Sequence, residues 1–116
     1  MKERVFQVNE LIQKELGQIL LRELEFPEDI FMTITRVEAS PNLQEAKVYI
    51  SVIPEGGGRE VLEILKQNVF RLQQILNKRL RMRPVPKIRW RLHKELSKAQ
   101  RVEGLLDTIQ QKGYNS

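Results

Sequence analysis

The chain has 116 residues, 41% hydrophobic and 30% charged, with 20 Lys+Arg against 15 Asp+Glu and no cysteine. That length fits one domain, residues 1–116, burying about two-thirds of its unfolded surface around a single core. Without cysteine there is no disulfide framework and no thiolate metal site, and with no run of about 18 apolar residues no membrane span is expected. The opening MKERVFQVNE lacks the apolar run of a signal peptide, so the expected location is cytoplasmic.

From Lys2 to about Leu24, Val5, Val8, Ile12, Leu16, Ile19 and Leu20 recur at steps of three and four and predict an amphipathic helix. Pro27 disfavours helix at Phe26, so Glu25–Asp29 reads as a loop. A strand–turn–strand unit follows. Phe31–Ala39 is rich in β-branched residues, but Met32 and Ile34 alternate out of phase with Val37 and Ala39, which a bulge near Arg36 would reconcile. Ser40-Pro41-Asn42 has the residues of a tight turn. In Gln44–Ile53 the alternation is clean, with Ala46, Val48, Ile50 and Val52 on one face and Lys47, Tyr49 and Ser51 on the other.

Gly56-Gly57-Gly58 lacks the Lys-Ser/Thr of a phosphate-binding loop and reads as a strand-to-helix connection. A second helical pattern runs from Arg59 to about Arg83, with Leu62, Leu65, Val69, Leu72, Leu76 and Leu80 as its core stripe. Its length predicts a kink or break. Pro84 and Pro86 end it and lead into a third strand, Lys87–Leu92, where Ile88, Trp90 and Leu92 point one way and Lys87, Arg89 and Arg91 the other. Trp90, on the apolar side, reads as core rather than as a base-stacking platform. Ser97 to Gln100 has capping-box spacing and predicts a last helix with Ala99, Val102, Leu105, Leu106 and Ile109 inward, and residues 112–116 are expected to fray. The order is that of an α+β domain whose three-stranded sheet packs against helices.

The charge is concentrated. Arg71–Lys94 carries Arg71, Lys78, Arg79, Arg81, Arg83, Lys87, Arg89, Arg91 and Lys94 with no Asp or Glu, leaving 11 basic against 15 acidic residues elsewhere. Like charges this dense repel one another unless solvated or matched by a polyanion, so nucleic acid is the first partner to consider. Arg71, Lys78, Arg79, Arg81, Arg83, Lys87, Arg89 and Arg91 are the candidate RNA contacts, set to neutralise phosphates. Arg79 and Arg83 also stand where they would cover the helix end, and Lys2 and Arg4 are peripheral candidates.

Chemistry has little to work with. His93 is the single histidine, the serines lack a base partner, and the carboxylates are spread along helical outer faces, so no catalytic residue, metal or cofactor is expected. A DNA-binding helix-turn-helix is not visible, because strands separate the long helices. The competing class is a protein-interaction adaptor using the amphipathic helices, with the basic face merely solvated.

Up to the third strand, the order matches the α-β-β-α-α-β layout of type II KH domains, yet no glycine lies between Gly58 and Gly104, so the GXXG backbone clamp is absent. RVFQVNELIQKELGQIL, TITRVEASPNLQEAKVYISV, KRLRMRPVPKIRWRL and RVEGLLDTI together resemble the bacterial ribosome-binding factor A family from Arg4 to Ile109. The resemblance implies a KH-like fold and a non-enzymatic factor that binds the immature small ribosomal subunit and assists late maturation of its RNA. It is associated with growth in the cold, with no small-molecule substrate and a monomer as the simplest state. That family commonly has a small residue–X–Gly kink in the long helix. The aligned positions here are Asn68, Val69 and Phe70, so the kink must be made differently or the helix must run straighter.

Overall fold

The computed structural model describes residues 2–93. The expected last helix and tail lie outside them. Helix α1 (Lys2–Glu23), strands β1 (Phe31–Ala39) and β2 (Glu45–Ile53), a short 3-10 turn (Glu55–Gly57), helices α2 (Gly58–Gln67) and α3 (Val69–Arg79), and strand β3 (Lys87–Leu92) follow in order. The sheet has the order β1-β2-β3, antiparallel between β1 and β2 and parallel between β2 and β3. A parallel pair needs a crossover, which the α2–α3 segment supplies.

The core lies between one face of this sheet and the three helices. α1 contributes Val8, Ile12, Leu16, Ile19 and Leu20, while Val5, near its start, is half-buried. The sheet contributes Val37, Ala46, Val48, Ile50, Val52, Ile88 and Trp90. The two phases of β1 are reconciled by a bulge between Ile34 and Arg36, with Val37 falling opposite Val48 and Ile34 opposite Ile50. The β1–β2 turn is held by Ser40, whose Oγ accepts from the N–H groups of Gln44 and Glu45, both at 3.1 Å. Leu43 takes φ 57° there, an uncommon conformation for a non-glycine residue.

The long helical segment is divided at Asn68, in keeping with the break that its length predicts, but it ends at Arg79 rather than near Arg83. Asn68 sits at φ −108°, ψ 6°; its N–H donates to Ile64 and Leu65 O, and its Nδ2 donates to Ile64 O at 2.7 Å. The asparagine thus closes α2 with backbone and side chain together, so a kink exists without glycine at position 70. On α2, Val61 and Leu65 are fully buried while Leu62 is only partly so, a shift of the core stripe by one residue. Leu80 is already extended (φ −94°, ψ 144°) and buried, because the chain must straighten to carry Val85 into the core and enter β3. Arg81 and Arg83 therefore lie on a connection, not on a helix.

Both edges of the sheet are met by amide side chains. On α1, Asn9 Oδ1 accepts from the Ala39 N–H at 2.7 Å and Gln13 Nε2 donates to Ile34 O at 3.2 Å, along the outer side of β1. On α3, Gln73 Oε1 accepts from the Ile88 N–H at 2.9 Å and Nε2 donates to Pro86 O at 3.1 Å, along the outer side of β3. Each amide supplies the bonds that a neighbouring strand would have made.

Candidate nucleic-acid interface

β3 runs beside β2, and its register decides what stands around its cations. Ile88 and Trp90 enter the core, so Lys87, Arg89 and Arg91 project from the sheet face that α1, α2 and α3 leave open. On that face Glu45 is opposite Lys87, Lys47 opposite Arg89, and Tyr49 opposite Arg91. From the other side, Glu38 is opposite Lys47 and Arg36 opposite Tyr49. The result is a row, Arg36–Tyr49–Arg91, beside a second row, Glu38–Lys47–Arg89. The Arg36 guanidinium lies 4.1 Å from the Tyr49 ring centroid, a cation–π contact, and also pairs with Glu38 at 3.1 Å. Arg36, Lys47, Lys87, Arg89 and Arg91 thus outnumber Glu38 and Glu45 on this surface.

The remaining candidates are not on that face. Arg71 and Arg79 lie at the seam between α1 and α3. Arg71 bonds the Glu23 carboxylate and backbone carbonyl and the Asn68 Oδ1. Arg79 pairs with Glu15 at 3.1 Å and reaches Gln18 Oε1, with both members of the ion pair about three-quarters buried. Arg83 turns back onto its own backbone, its Nη1 donating to Leu80 O and Met82 O, so it covers the end of α3. Lys78, Arg81 and Lys87 are exposed and have no carboxylate partner among the described residues. Arg89 is paired with Glu45, and Arg91 donates to Trp90 O. Arg4 lines a shallow depression with Pro41, Asn42, Met82 and Arg83, which brings the start of α1 to the 80–86 connection. The basic stretch is therefore one run in sequence but two groups in space, one on the open sheet face and one on the helical side.

Arg36, Lys47 and Tyr49 belong to the sheet surface and were not among the residues singled out from sequence. The signal was present in part, since the alternation of β2 sets Lys47 and Tyr49 on one face. What was missing was the adjacency of β3 to β2. His93, the single histidine, has its N–H bonded to Ile50 O, continuing the strand pairing. Among the described residues no group of three or more His, Cys, Asp or Glu side chains could hold a metal ion.

The profile of the ribosome-binding factor A family matches residues 4–106. The chain belongs to the ribosome-binding factor A family. A ribosome-binding factor A from Nitrosococcus oceani is 30% identical over 110 residues, covering 94% of this chain and 87% of that protein. The crystal structure of ribosome-binding factor A from Thermus thermophilus shares the fold, with a TM-score of 0.66 at 24% identity over 76% of this chain and 93% of that one. Homology coordinates of the Thermus thermophilus factor, fitted into a cryo-electron microscopy map of its complex with the 30S subunit, match with a TM-score of 0.59. They are 25% identical, over 71% of this chain and 87% of that one. The family's fold is thus present here.

Proposed function

We propose that this protein binds the small (30S) ribosomal subunit and assists late maturation of its 16S rRNA, acting by binding and not by catalysis. The observation that carries the reading is the open sheet face, where Arg36 and Arg91 flank Tyr49, Arg89 lies opposite Lys47 and Lys87 opposite Glu45, so that cations outnumber the carboxylates Glu38 and Glu45. Cations spaced across a flat sheet neutralise phosphates on a folded RNA, which sets affinity and orientation while shape supplies selectivity. Membership in the ribosome-binding factor A family, and the 30S complex of the Thermus thermophilus relative, support the subunit as the partner.

The basic residues between Arg71 and Arg91 divide the labour in this reading. Lys87, Arg89 and Arg91 face the RNA directly, Arg81 extends the contact from the connection, and Lys78 offers a cation on the exposed side of α3. Arg71, Arg79 and Arg83 mainly hold α1, α3 and the helix end in place, and reach RNA only at the periphery. Such a factor works as a monomer in the cytoplasm, where subunits mature; no helix among the described residues is long and apolar enough to cross a membrane.

Co-sedimentation with small subunits, large subunits and free tRNA across a salt series tests this. Preference for the small subunit is expected, with log affinity falling linearly against log salt by about 0.7 per single-stranded phosphate contact. The charge reversals Arg81→Glu and Arg89→Glu should weaken that binding with the circular dichroism spectrum intact. Equal, weak binding to all three particles, or unchanged binding by the reversed variant, would sink the assignment.

A further inference from the structure

We propose that Phe70 is a stacking platform for an unpaired RNA base, forming a second contact on the helical side; the inference rests on the RNA-binding reading above. Phe70 opens the first turn of α3 and is 74% exposed. Its ring is not needed for the bend, since Asn68 makes the kink with its own backbone and side chain. Nor does it fill the core, where α3 sends Leu72 and Leu76. A large aromatic side chain in water with no structural task invites a contact that uses its face.

The surroundings indicate which contact. Phe70, Gln74 and Lys78 recur every four residues on α3 and are all exposed, so they form one ridge on the side turned from the core. Lys66, also exposed, stands one turn earlier at the end of α2. No Asp or Glu occurs between Glu63 and Glu95. Within residues 64–93 the other aromatic is Trp90, which is buried at 6% exposure. An exposed ring between lysines, with the nearby Glu23 carboxylate neutralised by Arg71, matches the chemistry of single-stranded nucleic acid. Bases stack on the ring while cations meet the phosphates on either side. Where glycine would let a backbone approach closely, phenylalanine blocks that approach and offers a π-face in its place.

The test compares wild type, F70A, F70L, F70W and R89E for binding to protein-free 16S rRNA and to intact small subunits across a salt series. F70A is expected to weaken both by about tenfold or more, with an unchanged salt slope, because stacking releases no counterions. F70W should retain affinity, and its emission should be quenched by the rRNA beyond any change seen in wild type, whose Trp90 is buried. F70L should behave like F70A. Thermal melts of the variants should match wild type, since the kink does not depend on the ring. If F70L binds like Phe, or F70A loses affinity only for intact subunits, the side chain makes an apolar contact with a protein and the proposal is overturned. Should F70A bind normally while R89E is weakened, Phe70 is a bystander and the RNA-binding reading survives. Normal binding by both variants would remove that reading as well.

Discussion

Glu45 holds Arg89 at 3.0 Å across the β2–β3 pair, with both side chains about half exposed. An exposed ion pair of this kind contributes about 0–1 kcal/mol to stability. Its carboxylate also stands among the cations that would meet phosphate. Glu45→Gln should therefore tighten binding to small subunits several-fold at low salt and steepen the salt dependence, with little change in melting temperature. Weaker binding by this variant would mean that Glu45 positions Arg89 rather than competing for it.

The bonds from Gln73 to Ile88 and Pro86 make a sharper prediction about stability. Gln73→Leu keeps the volume of the side chain but leaves the Ile88 N–H and Pro86 carbonyl without their partner. The cost should be about 1–3 kcal/mol, the range for a polar group left unpaired in a partly buried site. Amide hydrogen exchange should accelerate at Ile88 more than at Val48 in the middle of the sheet.

Asn68 can be tested in the same terms. Asn68→Ala removes the Nδ2 bond to Ile64 O and the Oδ1 acceptor of Arg71. A loss of about 1 kcal/mol is expected from the hydrogen bonds. Equilibrium denaturation measures it, and an unchanged midpoint would show that backbone bonding alone fixes the kink.

Two glycines should respond with opposite sign to the same substitution. Gly17 lies inside α1, and a Cβ built there meets nothing within 4 Å. Gly17→Ala should stabilise the protein by about 0.5–1 kcal/mol through lower backbone entropy in the unfolded chain. At Gly58, the first residue of α2, a Cβ would come within 2.8 Å of Leu92 Cδ2. Gly58→Ala should lower the melting temperature, because Leu92 must turn away from its place against α2.

Strand β3 was legible to the residue, because a period of two with basic and apolar positions has one reading on a sheet. The bulge near Arg36 was legible for a related reason, since two out-of-phase halves of one strand can face a common core only if a residue is inserted. The extent of α3 was not. Proline marks a limit for a helix, but where the chain leaves the helix depends on how far Leu80 and Val85 must travel to reach the core, which is a tertiary distance. The fate of the arginines was hidden for the same reason. Glu15 and Glu23 are far from Arg79 and Arg71 in sequence, and the packing of α1 against α3 brings them together. Sequence located the positive charge, and the fold decided which of it stays available.

Asn9, Gln13 and Gln73 carry one more implication. Small sheets commonly guard their borders against accretion of foreign strands with lysine or with inward-pointing charge. Here neutral amides discourage that accretion, so colloidal protection and ligand attraction are assigned to separate side chains. If the outward cations meet RNA as proposed, their substitution will leave these guarded borders, and so the resistance of the sheet to aggregation, unchanged.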